Sequence, residues 1–434
     1  MNAKLSVIIP CLNSSKYIEK CAESVLAQTM SDIEIIFVDA GSTDGTLEII
    51  NRYINDERVI LLNSEKKSYG YQMNLGIRMS SGEYIGIVES DDYIDVNMYK
   101  DLYDKAVKGG YDYVKANYTE FYFNQNERKY CYKERNVLDK MELYNKDLNA
   151  SATPTLMRND IVAIWSGIYS KKFLIENNIE FNETMGASFQ DTGFWACISM
   201  TSRRCLYVDN SYYRYRIDNP NSSTFQSNKL YCICDEFQYI QERVPEDHLI
   251  YFSERLSWIM YRKYKTNLER VSRENKFDFY SRMASDLSSW NKRYNVKGEY
   301  YAAEEWDDLK NIVRSPSEYL EQKMSEKEDF ISSFSAQDQV IIYGAGRVAK
   351  KIAEDIGKEK IVLFVTTNRN DIDTITINGI DIPVAEISLV DPMLKKLPII
   401  ISTKLSEFRL EMQNIAKNNG FSDVYLIPYG TYDE

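Results

Sequence analysis

The chain has 434 residues, a formal net charge of −12 and a single histidine, His248. The length predicts two or three domains at roughly 150 residues each, and the acidic balance disfavours nucleic acid, whose phosphates are neutralised by Lys and Arg. One imidazole excludes His-rich zinc sites and disfavours a Ser-His-Asp hydrolase. Any acid–base chemistry therefore falls to carboxylates.

The N-terminal segment MNAKLSVIIP lacks the long apolar stretch and the cleavage site of a signal peptide, and we interpret it as the first strand of a domain. No run reaches the roughly 18 apolar residues that a membrane-spanning helix requires. The seven cysteines are scattered and form no C-x-x-C pair, which predicts reduced, buried thiols. Together these features predict a cytoplasmic protein.

Three regions follow from the periodicity of apolar residues. Over residues 1–225, β-branched runs such as LSVIIP, IEIIFVD and EYIGIVE alternate with amphipathic segments, which predicts an open, mostly parallel α/β sheet with helices on both faces. Residues 226–335 form long helical stretches rich in Tyr, Glu and Lys. From 336 to 434 the α/β alternation resumes, which predicts a small, separate Rossmann-like domain.

The acidic cluster of the segment IVESDDY follows the fourth predicted strand. Three carboxylates, those of Glu89, Asp91 and Asp92, flank Ser90 at the end of a strand, where open sheets bind ligands. A hard divalent cation, Mg²⁺ or Mn²⁺, would relieve their mutual repulsion. Ser and Asp are also ordinary turn and N-cap residues, so a loop that caps the next helix is the alternative.

Two further carboxylates stand at positions suited to chemistry. Asp39 ends a predicted strand before GSTDG, where it can accept hydrogen bonds from a base or ribose, although glycines and helix caps explain much of that loop. Asp191 lies in FQDTGFW, where a partly dried setting raises a carboxyl pKa and makes a better base. A helix cap is the alternative for Asp191.

The remaining candidates are cationic and aromatic. Arg214 and Arg216 alternate onto one face of a predicted strand, where they either meet a diphosphate or line a solvated edge. Trp165 and Tyr169 have rings that suit sugar stacking, but buried aromatic residues more often form a core, and we expect core packing there.

Five motifs in this order, KLSVIIPCLN, VDAGSTDGT, YGYQMNLGI, IVESDDY and QDTGFW, resemble the family 2 glycosyltransferases of the GT-A fold over roughly the first 225 residues. The resemblance implies that Pro10 and Asn13 line the nucleotide pocket and that Asp39 contacts the base, usually uracil. It also implies that Asn74 helps to hold the nucleotide and that Asp191 is the catalytic base.

In the same resemblance the acidic cluster is the D-x-D motif. Asp91 would bind the metal, Asp92 would be its neighbour or a second ligand, and Glu89 with Ser90 would face the ribose or donor sugar. The chain departs from the common pattern at Glu89, where Asp is more frequent, and at Gln72-Met73-Asn74, where Ala-Arg-Asn is frequent. Loss of that Arg leaves the diphosphate charge to the metal, Arg214 or Arg216.

The implied activity is an inverting, in-line transfer from a nucleotide sugar, usually a UDP-sugar, to a hydroxyl of a glycan or lipid-linked glycan, with Mn²⁺ or Mg²⁺ as cofactor. Relatives of this kind often build surface polysaccharide, so peripheral contact with the inner face of a membrane and a homodimer both stay open. A non-catalytic nucleotide-sugar-binding scaffold and a sugar nucleotidyltransferase are the alternatives. The second needs a Gly-rich basic loop, which PCLNSS does not provide.

The last domain carries its own motif, since IIYGAGRVAKK gives G-x-G-x-x-A through Gly344, Gly346 and Ala349. That pattern brings backbone close to a pyrophosphate. Thr366-Thr367-Asn368 stands where a dinucleotide fold has an acidic residue for the ribose. The sequence therefore favours a packing or dimerisation role, with an NAD-dependent oxidoreductase as the alternative.

Overall fold

The computed structural model describes residues 3–124, 128–158, 161–222, 230–368 and 373–432. These fall into two compact units, an N-terminal unit (Met1–Tyr264) and a C-terminal unit (Lys265–Glu434). The predicted boundaries at 225 and 335 stay predictions. Within the described ranges no helix is long and apolar enough to cross a membrane. All seven cysteines are free and all but Cys232 are buried, which confirms the expected thiols.

The N-terminal unit alternates strands and helices over most of its length. Its strands are β1 (Leu5–Cys11), β2 (Ile33–Asp39), β3 (Val59–Asn63), β4 (Tyr84–Ile87), β5 (Tyr93–Ile94), β6 (Tyr113–Asn124), β7 (Lys129–Arg135), β8 (Gly167–Ser170) and β9 (Cys205–Arg216). Its helices are α1 (Ile18–Leu26), α2 (Thr46–Ile50), α3 (Tyr69–Met79), α4 (Met98–Gly109), α5 (Lys171–Glu176), α6 (Gln190–Thr201), α7 (Cys232–Arg243) and most of α8 (Glu246–Leu268).

The strands of the N-terminal unit form one sheet in the order β3-β2-β1-β4-β8-β6-β9-β5, with β7 paired to β6. The first four strands are parallel, so their carboxyl ends meet at one edge. Beyond β4 the sheet is mixed, because β8 runs antiparallel to both β4 and β6 while β9 is parallel to β6. All seven residues of β1 are buried, as expected for a central strand covered on both faces. The predicted open α/β sheet is thus confirmed.

The C-terminal unit begins with helices and ends in a second sheet. Its helices are α9 (Lys276–Tyr294), α10 (Ala303–Arg314), α11 (Pro316–Ser332), α12 (Arg347–Ile356) and α13 (Ser406–Asn418). Its strands are β10 (Val340–Tyr343), β11 (Ile361–Thr366), β12 (Thr374–Ile377), β13 (Ile380–Glu386), β14 (Ile399–Ile401) and β15 (Val424–Leu426).

The second sheet has the order β12-β13-β11-β10-β14-β15, and only the edge strand β12 is antiparallel to its neighbour. Alternate residues of its strands enter two apolar clusters: Ile342 and Ile400 pack with Ile352 of α12, whereas Ile341 and Ile399 belong to the other cluster. A sheet buried on both faces with α/β alternation is the small Rossmann-like domain that the sequence predicts.

Candidate active site

The loops that follow β1 and β2 are fastened to each other at the carboxyl edge of the sheet. Oδ1 of Asn13 accepts a hydrogen bond from the backbone N–H of Thr43 (2.9 Å), and the Asn13 N–H donates to Oγ of Ser42 (2.9 Å). Asn13 has a φ of 52°, a left-handed conformation that Asn tolerates better than most residues. Pro10 is buried in β1 beside Val38 of β2. The two predicted nucleotide-pocket residues therefore lie at one edge.

Asp39 at the end of β2 is 2% exposed and organises its own turn. Its Oδ2 accepts the backbone N–H groups of Gly41 (2.8 Å) and Ser42 (2.9 Å), and its Oδ1 accepts the Ser42 hydroxyl. Because both oxygens already accept hydrogen bonds, a base would have to use a remaining lone pair. Its contact with the base stays a prediction.

Gln72 stands in α3 where the family frequently has Ala, beside Met73 at the position of the frequent Arg, and it has a structural task. Its Nε2 donates to the backbone carbonyls of Cys11 (3.0 Å) and Val38 (2.6 Å), which joins the ends of β1 and β2. The sequence marks Gln72 only as a departure from the family pattern. A polar residue one helical turn from the N-cap Ser68 on a buried face was the signal that could have located it.

Asp92 is the most buried member of the acidic cluster, at 1% exposed. Its Oδ2 accepts the Tyr213 hydroxyl (2.8 Å) and its Oδ1 accepts the Arg216 backbone N–H (2.7 Å). Burial and the neighbouring charge of Asp91 raise its pKa well above the ordinary value. These contacts fasten the acidic loop to β9, and a metal contact of Asp92 stays a prediction.

Asp91 and Glu89 each keep one carboxylate oxygen without a hydrogen bond in the described part of the chain. Asp91 uses only Oδ2, which accepts Nδ2 of Asn219 (2.7 Å), and Glu89 uses only Oε1, which accepts the Tyr69 hydroxyl (2.7 Å). Burial raises the pKa of Glu89 to about 8, and the charges of Asp91 and Asp191 add to that rise. Between them, Ser90 shares a hydrogen bond with Ser14 (2.7 Å).

Asp191 lies in the first turn of α6, which the chain enters through Phe189 in a left-handed conformation (φ 66°). Gln190, where the family usually has Glu, braces this entry: its Nε2 donates to the Gly186 carbonyl (3.1 Å) and its Oε1 accepts the Ser188 N–H (2.5 Å). Asp191 is half-buried, and its Oδ1 accepts the Thr192 N–H (2.8 Å). Among the described residues its Oδ2 accepts no hydrogen bond.

Asn74 is buried and holds the segment that leads to Asp191. Its Nδ2 donates to the Phe181 carbonyl (2.9 Å) and its Oδ1 accepts the Phe181 N–H (2.8 Å). Because both Nδ2 and Oδ1 of Asn74 are hydrogen bonded to Phe181, Asn74 would affect a nucleotide indirectly, by holding this segment in place. Its predicted direct role is untested.

Glu236 in α7 is a site neighbour that the sequence analysis missed. It is fully buried, its Oε1 accepts Nδ2 of Asn182 (3.0 Å), and burial raises its pKa to about 9. The approach to α6 is close, because a Cβ at Gly193 would lie 2.3 Å from Oε2 of Glu236. The signal was available: Glu236 shares a helical face with Ile233 and Ile240, where an apolar residue is expected.

The two predicted diphosphate arginines differ in their surroundings. Nε of Arg216 donates to the Asp91 carbonyl (3.0 Å), and its guanidinium lies over the rings of Tyr17 (4.6 Å) and Phe121 (4.5 Å). Arg214 donates to the carbonyl of Ser211 in its own strand (3.0 Å). Arg216 therefore contacts the acidic loop directly, and a diphosphate contact of either residue stays a prediction.

Comparison with known proteins places this site in a family. The model of glycosyl transferase family 2 matches residues 6–165. Glycosyltransferase GlyG of Streptococcus pneumoniae serotype 4 is 32% identical over 227 residues, a span that covers 50% of this chain and 71% of GlyG. The chain belongs to glycosyltransferase family 2.

Two other similarities bear on this family 2 glycosyltransferase. Chondroitin synthase of Escherichia coli is 42% identical over 92 residues, which cover 21% of this chain and 13% of that protein. The crystal structure of TarS 1-349 of S. aureus in complex with UDP-GlcNAc has a TM-score of 0.54 at 20% identity, covering 73% of this chain and 92% of that one. That likeness confirms the GT-A fold.

The acidic cluster fits a divalent cation that is shared with a substrate. In the described part of the chain no group of three His, Cys, Asp or Glu side chains is arranged to hold a metal by itself. Mg²⁺ commonly binds through one or two carboxylates and substrate phosphates rather than in an all-protein cage. Asp91, half-buried with Oδ1 unengaged, suits that arrangement better than Asp92, whose two oxygens are engaged.

Proposed function

We propose that this family 2 glycosyltransferase moves a sugar from a UDP-sugar to a hydroxyl of a glycan, with inversion and with Mn²⁺ or Mg²⁺. One observation carries the proposal: Tyr69 links the two carboxylate regions, and Asp91 and Asp191 each retain an unengaged oxygen. The Tyr69 hydroxyl donates to Glu89 of the acidic loop (2.7 Å), and its N–H donates to the carbonyl of Gly186 in the segment that leads to Asp191 (2.9 Å). A metal-binding carboxylate and a base thus act on one small region of the site.

The donor would lie along the carboxyl edge of the parallel strands. The linked loops of Asn13 and Asp39 would hold the nucleoside, and Asp91 would hold the cation. The cation, when bound, supplies Lewis-acid stabilisation to the diphosphate leaving group. The UDP-GlcNAc bound to TarS supports a uridine nucleotide.

Asp191 would act on the acceptor. In a single displacement, the acceptor oxygen attacks the anomeric carbon, the bond from that carbon to the diphosphate breaks, and Oδ2 of Asp191 takes the hydroxyl proton. One displacement inverts the anomeric centre. The similarity to chondroitin synthase supports a polysaccharide acceptor, and a role in surface polysaccharide made at a membrane belongs to the same proposal.

The test is thermal unfolding of the full chain with UDP, with and without Mn²⁺. A ligand at about 100 times its Kd that binds only the folded state stabilises it by about 2.7 kcal/mol. We expect UDP to stabilise the wild type far more with Mn²⁺ than without, and Asp91→Asn to abolish the difference. Asp104→Asn, an exposed carboxylate on α4, is the matched control. Equal shifts with and without Mn²⁺ would contradict the metal-dependent site.

A further inference from the structure

Four aromatic residues form a group beside the acidic loop, which we call the aromatic shelf: Trp165, Tyr213, Tyr215 and Tyr118. Trp165 is stacked on Tyr215 (centroids 4.8 Å apart, planes at 11°) and on Tyr213 (4.2 Å, 27°), and it meets Tyr118 edge to face. Trp165 and Tyr215 are half-buried, whereas Tyr169, the other ring singled out from the sequence, is fully buried. Tyr169 therefore has the expected core packing, whereas Trp165 packs on three rings and stays partly exposed.

The backbone before Trp165 is held in an unusual conformation. Ala163 has a φ of 38°, which is strained for a residue with a Cβ, and it begins the 3₁₀ turn Ile164–Ser166. The preceding carbonyl, of Val162, accepts a hydrogen bond from Nζ of the buried Lys115 (2.6 Å). Strain of this kind persists where the surrounding structure fixes it, and the Lys115 hydrogen bond holds the backbone three residues before Trp165.

The shelf adjoins the acidic loop that carries the proposed metal ligand. The Tyr213 hydroxyl accepts the Glu89 N–H (3.0 Å) and donates to Asp92 (2.8 Å). Burial and the charges of Asp92, Asp91, Glu89 and Asp191 together raise the pKa of Tyr215. In the described part of the chain the Tyr215 hydroxyl makes no hydrogen bond, so it is available to a ligand.

We propose that the aromatic shelf is the acceptor subsite, where a pyranose ring lies against the part of Trp165 that its three ring contacts leave exposed and accepts or donates a hydrogen bond at the Tyr215 hydroxyl. This inference rests on the proposed function, because an acceptor must lie between the donor and Asp191. Tyr and Trp offer a flat apolar face with a polar edge, which matches the C–H face and hydroxyl rim of a pyranose. An acyclic polyol has no such face, so the shelf selects a ring-shaped acceptor.

The experiment compares acceptors and variants of the full chain. With a UDP-sugar identified by its slow hydrolysis, transfer is measured to p-nitrophenyl glucoside, galactoside and N-acetylglucosaminide, and to glycerol phosphate as the acyclic contrast. Trp165→Leu removes the stacking face, and Tyr215→Phe removes only the hydroxyl. The control is Trp258→Leu, a half-buried Trp of α8 that lies near Arg255 and Arg262.

We expect pyranosides to be accepted and glycerol phosphate to be poor. Trp165→Leu should raise the pyranoside KM at least about tenfold, equivalent to about 1.4 kcal/mol, Tyr215→Phe should raise it severalfold, and Trp258→Leu should not change it. Stabilisation by UDP with Mn²⁺ serves as the folding check for each variant. If Trp165→Leu does not fold, Tyr215→Phe decides.

If the folded variants have an unchanged KM for pyranosides, the aromatic shelf is not the acceptor subsite. Better transfer to glycerol phosphate than to every pyranoside would also contradict this assignment. Both results leave the proposed function standing, since transfer itself is then observed. If the wild type hydrolyses no UDP-sugar and UDP does not stabilise it, the proposed function fails, and the acceptor subsite fails with it.

Discussion

Each unit of this protein has polar residues beyond the carboxyl ends of its parallel strands, yet these residues are used differently in the two units. In the N-terminal unit, the loop after β4 carries Glu89 and Asp91, and the first turn of α6 carries Asp191. Each of these carboxylates has an oxygen that no described residue engages. In the C-terminal unit, polar groups near the Gly344–Gly346 loop bond to one another: Tyr343 pairs with Thr367 (2.7 Å), and Ser402 donates to the Tyr343 carbonyl (2.8 Å).

This difference shows that the topology of a doubly wound sheet does not by itself make a ligand-binding site. Both sheets have the topology that favours ligand binding at the carboxyl ends of strands. A site also needs charged or polar groups that the fold leaves unused. Substitutions in the two units can test that distinction, and the largest effect is expected at Asp191.

Asp191→Asn should lower the transfer rate by about 10²- to 10⁴-fold, the usual contribution of a general base. The amide keeps the size of the side chain but cannot take the acceptor proton. Stabilisation by UDP with Mn²⁺ should persist, because donor binding is assigned to other residues. Steady-state transfer measures the loss, and Glu354→Gln, an exposed carboxylate on α12, is the control from the other unit. A variant with near wild-type transfer would remove Asp191 from the mechanism.

Gly193→Ala in the N-terminal unit and Gly346→Ala in the C-terminal unit add the same methyl group, but the two glycines have different surroundings. The new methyl group at 193 would meet Oε2 of Glu236 at 2.3 Å, whereas nothing lies within 4 Å at 346. Overpacking costs about 1–3 kcal/mol and the helix preference of Ala returns about 1 kcal/mol, so a net loss of up to about 2 kcal/mol is expected at 193. Gly346→Ala should stay within about 0.5 kcal/mol.

Urea unfolding measures both glycine variants. Gly193→Ala should also lower transfer, since Asp191 lies two residues away in the same helical turn. Equal stability of the two variants would show that Glu236 moves aside freely and does not fix α6.

The sequence predicts the fold well because its signals are local. Runs such as LSVIIPC and IEIIFVD identify central strands by composition alone, and both became fully or almost fully buried strands. Asp39, Asp91 and Asp191 could be selected for the same reason, since they lie at the end of a strand, in the loop after a strand and at the start of a helix, respectively.

The roles of individual carboxylates could not be read from the sequence, because their partners are distant in the chain. Asp92 is engaged by Tyr213 and Arg216, more than 120 residues away, and nothing in SDDY separates it from Asp91. Glu236 looks like any charged residue of a helical stretch until the fold buries it against Gly193. Local pattern locates a candidate site, and tertiary contacts decide which of its oxygens remain available.

Glu236→Gln should stabilise the protein at alkaline pH. The folded-state pKa of Glu236, about 9, lies above its ordinary value of 4.5, so the folded chain retains a proton that the unfolded chain loses between these values. Wild-type stability from this group is therefore fully present below pH 4.5 and is lost as pH rises towards 9. Gln keeps an acceptor for Asn182 and has no proton to lose.

The advantage of Glu236→Gln over wild type should grow by up to about 1.4 kcal/mol per pH unit within that window. Unfolding at pH 5, 7 and 8.5 measures it, and Glu354→Gln should track the wild type because that carboxylate is exposed. A constant difference across this range would mean that Glu236 is ionised in the folded protein.

NAD should produce the smallest effect, with no measurable shift in unfolding temperature at concentrations where UDP with Mn²⁺ stabilises the chain. Gly344 and Gly346 present backbone at the start of α12, but the hydroxyls of Tyr343, Thr367 and Ser402 are engaged. β11 ends in Thr366, whose hydroxyl donates to the Asn368 carbonyl (2.8 Å), where a carboxylate would bind a ribose. If NAD raised the unfolding temperature saturably, and Asp91→Asn left that rise unchanged, the C-terminal unit would contain a second nucleotide site. Hydrogen bonding among the polar groups near Gly344 and Gly346 would then not prevent nucleotide binding.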